Sequence, residues 1–267
     1  MVKTVVNAEN PLSTSESSDG LRQPPADLPS NLVRRMTVII VLAKEPVPGR
    51  AKTRLCPPLT PNQAAEVAAA SLSDTFAAVR QSQRATHAVA VFDGDPQGWV
   101  PNEIAVFPQV SGGLDRRLAA AFTTVCSTYG EPAVLIAMDT PQVTAQLLDA
   151  AIASIEGANV DAVFGPAEDG GFWLIGLDPH QVGENAAWFG HVFFDVPMST
   201  PTTGKAQRER MTELGLRIND LPTLRDIDTL DDLHMVVAQN PHLKLSSYWQ
   251  VLTANADTAH AATTTVR

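Results

Sequence analysis

The chain has 267 residues, 44% of them hydrophobic and 18% charged, with a formal net charge of −10. That length supports one well-packed core. The acidic balance excludes a broad nucleic-acid face, which needs a basic footprint, but leaves room for a small phosphorylated substrate held by local cations and a metal.

Two cysteines, Cys56 and Cys126, are too few and too far apart for a disulfide framework or a cysteine zinc cluster. No apolar run approaches the ~18 residues of a membrane span. The polar start lacks the hydrophobic stretch of a secretory signal, so the expected location is the cytoplasm.

In chain order, residues 1–35 are polar, Ser- and Pro-rich and without period, which predicts a disordered arm. Met36 follows it and is a candidate alternative start. Residues 36–252 then alternate strand and helix. The run Thr37–Ala43 is continuously apolar and β-branched, as in a strand covered on both faces. Thr60 and Pro61 supply an N-cap and first-turn proline for a helix to about Arg80, with Ala65, Ala68, Leu72, Phe76 and Val79 on one stripe.

Strands follow at His87–Phe92 and Ile104–Phe107, a helix at Leu114–Tyr129, and a strand at Ala133–Met138. The pattern continues with a helix at Val143–Ile155 and strands at Asp161–Phe164 and Phe172–Ile175. A helix at Thr203–Leu214, a short strand at Arg217–Ile218 and a helix at Thr229–Ala238 complete it. Residues 253–267 read as a flexible tail. This alternation predicts an α/β fold, three layers deep, with a mostly parallel sheet and helices on both faces. In such sheets ligands bind beyond the carboxyl ends of the strands, which points to the loops after Ala43, Met138 and Phe164.

The first loop, Lys44 to Leu55, sets four cations (Lys44, Arg50, Lys52, Arg54) beside two prolines and Gly49 in an otherwise acidic chain. Prolines stiffen the backbone and Gly49 permits a positive φ. Lys, Arg and backbone N–H groups are what phosphate oxygens seek. The same composition also suits a solvated cationic loop. The spacing is not that of a P-loop.

In the second loop, Asp139 follows a buried strand and precedes Thr140-Pro141. A carboxylate there can ligate Mg2+ or Mn2+ bridging a diphosphate; the alternative, a helix cap, would place it too far ahead of Val143-Thr144. In the third, Gly165–Gly171, two glycines (Gly170 and Gly171) after the acids Glu168 and Asp169 allow backbone to approach a ligand. Either acid could then serve as general base toward an acceptor. A plain Asp-Gly hairpin is the competing reading.

The segment Asp226-Ile227-Asp228-Thr229 precedes the last predicted helix. Thr229 with Asp232 reads as a capping box with Asp in place of Glu. That leaves Asp226 and Asp228 unexplained. Gln109 to Arg117 is a further candidate ligand loop, and the six histidines show no ligand spacing.

The pattern K-x-P-x-P-G-x-x-K-T-R-L over Lys44–Leu55 resembles a bacterial family of rSAM/selenodomain-associated transferases, glycosyltransferase-like members of the nucleotide-diphospho-sugar transferase superfamily. Ala51–Leu55 is also similar to the matching loop of phospholactate guanylyltransferases. The stretch Gly165–Leu177 carries the family's G-P-A-x-D-G-G-F-x-L-I-G-L, and the resemblance runs from about Thr37 to Val237. It implies a GT-A-like fold, the loop-1 cations on phosphates, Asp139 as metal ligand and Asp169 toward the acceptor. Asp226 and Asp228 are implied by a similar D-x-D-T-x-x-D segment in nucleotidyltransferases of the molybdenum-cofactor type. The chain departs from the pattern at Ala137, where the family has Gly, at Gly113-Leu114-Asp115, and at Met198 in place of Trp.

The expected activity is metal-dependent glycosyl transfer from a nucleotide-diphospho-sugar to a small-molecule acceptor. Two alternatives stand beside it: nucleotidyl transfer onto a phosphorylated acceptor, and non-catalytic nucleotide-sugar binding.

Overall fold

A computed structural model describes the backbone of residues 36–182 and 188–264, all within one compact unit, Arg35–Arg267. The arm expected at 1–35 lies outside the described residues. Among the described residues the sheet has seven strands: β1 (Val38–Lys44), β2 (His87–Asp93), β3 (Ala105–Pro108), β4 (Ala133–Ala137), β5 (Ala162–Pro166), β6 (Phe172–Leu177) and β7 (Ile218–Asp220). Their spatial order is β3-β2-β1-β4-β6-β5-β7. All pairings are parallel except those of β6, which runs against both β4 and β5.

Among the described residues the helices are α1 (Pro61–Gln81), α2 (Leu114–Tyr129), α3 (Ala145–Ile155), α4 (Pro179–Val182), α5 (Trp188–Phe193), α6 (Thr203–Glu213), α7 (Leu230–Gln239) and α8 (Lys244–Thr264). The predicted N-cap is real: Thr60 accepts from the Gln63 backbone, Gln63 reciprocates, and Pro61 occupies the first turn. Thr229 and Asp232 form the same reciprocal box at α7. Thr144 caps α3, accepting from Leu147 N.

Alternation along β1 explains the three layers. Ile39, Val41 and Ala43 pack with Leu72 and Phe76 of α1 and Ile152 of α3 on one face. Val38 and Ile40 pack with Leu118 and Phe122 of α2, Phe193 of α5 and Met211 of α6 on the other. The central strands are apolar on both sides because each side meets helices, whereas the edge strands β3 and β7 are mostly exposed. The outer face of α1, with Ala64 and Val67, is covered in turn by Leu233 and Val236 of α7 and Leu245 of α8.

Helix α8 runs through the boundary expected at 252. Leu245, Tyr248, Trp249 and Leu252 recur at helical spacing and join the cluster against α1. Asp74 accepts from Lys244 N and Leu245 N at 2.9 Å each and so caps the start of this helix.

Candidate active site

The carboxyl ends of β1, β4 and β5 and the first residue of β6 open onto the same edge of the sheet. Past β1, Gly49 takes φ +76° and Lys52 φ +49°, and a 3-10 turn at Thr53–Leu55 closes the loop on buried Leu55. The left-handed turn at Lys52 is unusual for a residue with a Cβ. It accompanies a side chain directed inward, only 6% exposed, with Nζ 2.5 Å from Asp139 Oδ1. The same ammonium donates to the Ile227 carbonyl.

Past β4, Asp139 and Thr140 are tied to the segment ahead of α7. Ile227 N donates to the Asp139 carbonyl at 3.0 Å, and the buried Thr140 hydroxyl donates to Asp226 Oδ1 at 2.8 Å. Three segments distant in sequence are thereby joined at one point: the basic loop, the β4 loop and Asp226-Ile227. Arg54 adds an outer link, its Nη1 lying 2.8 Å from Asp228 Oδ2.

Burial pushes the Asp226 carboxyl up to about 7. The negative charges of Asp139 and Asp169 add to the rise, while the Thr140 hydroxyl and Lys52 oppose it. Among the described residues no three His, Cys, Asp or Glu side chains converge closely enough to hold a metal by themselves. The donors present are nonetheless the hard oxygens that Mg2+ and Mn2+ prefer. Mg2+ sites commonly use one or two carboxylates completed by water and substrate phosphate, so Asp139 and Asp226 fit half of such a site.

The acids of the third loop separate. Asp169 lines the main cleft, and its Oδ1 accepts from Gly171 N at 2.8 Å, closing the turn. Glu168, the second catalytic candidate, is instead ion-paired with Arg225, whose Nη1 also lies 2.9 Å from Asp232. Glu168 N donates to the Leu224 carbonyl at 2.9 Å. Its environment is that of a strut between the loop and the α7 cap.

Gly170 and Gly171 were expected to bring backbone close to a ligand. Gly170, at φ +88°, instead brings it close to protein: an added Cβ would overlap the Pro201 carbonyl, and Gly204 N donates to the Gly170 carbonyl at 2.7 Å. Gly171 does line the cleft. Gln109, part of the further candidate loop, is held internally: its amide donates to the Ala43 carbonyl at 2.6 Å and its oxygen accepts from Arg117.

Two cavities result. A small one of about 170 Å³ is lined by Lys44, Arg50, Lys52 and Arg54 together with Asp139 and Asp228. A large one of about 580 Å³ shares Arg54, Asp139 and Asp228 with it and continues over Asp169, Asp226 and Phe172. Ala137 lines the large cavity.

Sequence reasoning missed three contributors. Thr140 was read only as a spacer between Asp139 and Pro141. Arg225 sits in a segment noted for its acids. The Ser199–Thr203 turn, which walls the large cavity, drew notice only for Met198; its run of hydroxyl residues was the available signal.

Residues 63–200 match the model of a family described as an uncharacterized protein conserved in bacteria (DUF2064); the match begins beyond the basic loop. No curated protein matches the chain. Among solved structures, the chain superposes on a candidate nucleotide-diphospho-sugar transferase from Desulfovibrio desulfuricans G20. The TM-score is 0.73 at 22% identity, covering 82% of this chain and 95% of that one. It also resembles 4-diphosphocytidyl-2C-methyl-D-erythritol synthase from Anaerococcus prevotii DSM 20548, with a TM-score of 0.52 at 10% identity over 78% of this chain and 97% of that one. A CMP:2-keto-3-deoxy-manno-octonic acid synthetase complexed with CTP gives a TM-score of 0.50 at 10% identity, covering 77% and 99%. The fold is that of the nucleotide-diphospho-sugar transferases. No helix among the described residues is long and apolar enough to cross a membrane.

Proposed function

The chain belongs to the DUF2064 family, and from its paired cavities we propose that it is a transferase acting on a nucleotide-diphospho-sugar with the help of a divalent metal. The observation that carries this reading is the division of one cleft into a small basic cavity and a large acidic one, with Arg54, Asp139 and Asp228 as their common wall. A diphosphate fits the first by charge, and the group to be transferred then projects into the second. The narrower resemblance to rSAM/selenodomain-associated transferases supports the same assignment of roles.

Lys44, Arg50, Lys52 and Arg54 bind the phosphates, with Gly49 giving the loop its close turn. Asp139 and Asp226 hold Mg2+ or Mn2+, and Asp228 assists through its pair with Arg54. A bound metal supplies charge neutralisation at the leaving diphosphate. Asp169 takes the proton from an acceptor hydroxyl as that oxygen attacks the sugar carbon and the bond to the diphosphate breaks. The basic loop keeps the departing anion in place.

The same basic cavity would serve a nucleotidyltransferase, and the fold is shared with a CMP:2-keto-3-deoxy-manno-octonic acid synthetase complexed with CTP and a 4-diphosphocytidyl-2C-methyl-D-erythritol synthase. A thermal-unfolding screen of nucleosides, nucleotides and nucleotide-sugars with and without Mn2+ tests the proposal, because a ligand that binds only the folded chain raises its apparent stability. Metal-dependent stabilisation by a nucleotide-sugar, followed by release of the nucleotide, is the expected result. Stabilisation by bare nucleosides as strong as by their diphosphates would overturn it, and preference for a triphosphate would favour nucleotidyl transfer.

A further inference from the structure

One wall of the large cavity is apolar and stands open. On the face of the sheet that meets α2, Val38 and Ile40 of β1 lie beside Ala133 and Leu135 of β4. Leu42 and Ala137 come next in each series and pair in register at the sheet edge. Inward along the sheet this face is closed, with Leu118 of α2 and Leu135 only 1% and 3% exposed. At the edge it is not. Leu42, Ala137, Phe172 and Leu114, the first residue of α2, are half-buried, and all four line the cavity with Leu118 and Leu135. A wedge therefore opens between the first turn of α2 and the carboxyl edge of the sheet. Phe172 ties it to the chemistry, because its neighbour Gly171 closes the turn of Asp169.

We propose that this wedge receives the acceptor, and that the acceptor is an alcohol borne on an apolar arylalkyl body rather than a sugar. This rests on the reading given above, in which the diphosphate sits in the small cavity, the transferred sugar lies among the acids and Asp169 is the base. The acceptor oxygen bonds to the sugar carbon as the bond from that carbon to the diphosphate breaks. The diphosphate leaves with the electron pair, and the hydroxyl proton passes to Asp169. The wedge acts on the rest of the acceptor. Its six hydrocarbon side chains offer no hydrogen-bond partner, so a sugar hydroxyl pressed against them and cut off from water weakens binding by roughly tenfold or more. A methylene in the same place strengthens it roughly fourfold. Those opposite signs make the wedge a filter for the body of the acceptor, while Asp169 reads its hydroxyl. At about 580 Å³ the cavity falls in the range that holds drug-sized ligands, a class that includes a sugar joined to an aryl group.

Methyl and amide chemical-shift mapping on the full chain tests this. The probes are benzyl alcohol, 2-phenylethanol and 3-phenylpropanol, set against glycerol and methyl glucoside. Inorganic pyrophosphate with Mg2+ and the common nucleosides form separate arms. The arylalkyl alcohols are expected to shift the methyls of Leu42, Leu114, Leu118 and Leu135 and to tighten severalfold with each added methylene. Both polyols should be weaker there by roughly tenfold or more. Leu114→Trp should fill the wedge and cut alcohol affinity to a similar degree, with pyrophosphate shifts at residues 50–55 showing that the variant is folded. Leu114→Ser should weaken the alcohols severalfold by removing apolar area. Polyols that bind the wedge as tightly as the arylalkyl alcohols overturn the proposal, and so does a panel in which no alcohol shifts these methyls. Nucleosides that shift them more strongly than the alcohols overturn it too, since the wedge would then be a base slot. Silence of residues 50–55 toward pyrophosphate in the native chain would instead overturn the phosphate reading, a result seen in a different set of resonances.

Discussion

Lys52 Nζ lies 2.5 Å from Asp139 Oδ1, so a cation predicted to meet phosphate and an acid predicted to meet metal are bound to one another. The pair makes sense as a resting state. Lys52 is nearly buried, and a buried ammonium without a counter-charge is costly. On the proposed reading Asp139 would hold the metal and Lys52 would then exchange one anion, the carboxylate, for another, the diphosphate, and remain paired. On that reading the pair would also couple the two ligands, since each would have to displace the other's residue.

Asp139→Asn should therefore fold, with Lys52 retaining its bond to the Ile227 carbonyl, at a cost of about 1–3 kcal/mol for the weakened pair of a buried lysine with a half-exposed carboxylate. Calorimetry should show loss of Mn2+-dependent pyrophosphate binding. Lys52→Met should weaken pyrophosphate by roughly tenfold or more, the worth of a charge-assisted hydrogen bond of about 1.5–3 kcal/mol. Unchanged metal-dependent affinity in Asp139→Asn would remove this aspartate from the metal site.

Two glycines with positive φ, Gly49 in the basic loop and Gly170 in the third loop, should respond differently to alanine. Gly170→Ala meets both the backbone penalty, about 1–3 kcal/mol, and overlap with the Pro201 carbonyl. Gly49→Ala meets only the penalty, because nothing lies within 4 Å of its added Cβ. Thermal unfolding should show a clearly larger loss for Gly170→Ala. Equal losses would mean that the 170–204 contact yields at little cost.

At the far end of β5, Arg217 holds the Asp161 carboxyl below the ordinary carboxylate range, through side-chain hydrogen bonds of 2.6 and 2.8 Å and a further 2.8 Å bond from its backbone N–H. A carboxylate depressed in the folded chain adds stability that is present above the unfolded value near 3.8 and is lost as pH falls through the folded one. Asp161→Asn should thus be less stable than the native chain at pH 7, with the difference shrinking below about pH 4. A constant gap in denaturation midpoints down to pH 2 would contradict this assignment.

Most elements were legible in the sequence because strands buried on both faces and capped helices leave strong local signals. β1, α1, α2 and β4 follow directly from Thr37–Ala43, Thr60-Pro61, the period of Leu114–Tyr129 and Ala133–Met138. The reversal of β6 followed less directly, since only the Asp-Gly turn hinted at an antiparallel partner. α8 was missed because its polar and alanine-rich second half masks the Leu245–Leu252 stripe. Within the site, residue types were legible and pairings were not. Nothing local distinguishes Glu168 from Asp169; Arg225, 57 positions away, decides which of them faces the cleft.

That difference sets the last prediction. Asp169 closes its turn with one oxygen, Oδ1, on Gly171 N, a bond that an asparagine carbonyl reproduces on the same backbone. Asp169→Asn should accordingly keep its fold and its affinity for the donor while losing the charge a base needs. A general base contributes about 10²–10⁴-fold, so turnover of the nucleotide-sugar identified by the thermal screen should fall by that order with little change in donor binding. Glu168→Gln should behave in the opposite way. It breaks the pair with Arg225 at a cost of up to ~1 kcal/mol for so exposed a contact and leaves turnover within severalfold of native. Both variants are read in one assay of released nucleotide, with stability followed in parallel. If Glu168→Gln proves the inactive one while Asp169→Asn turns over normally, the base lies on the strut side of the loop, and the turn that Asp169 closes serves only to pack Gly170 against Pro201.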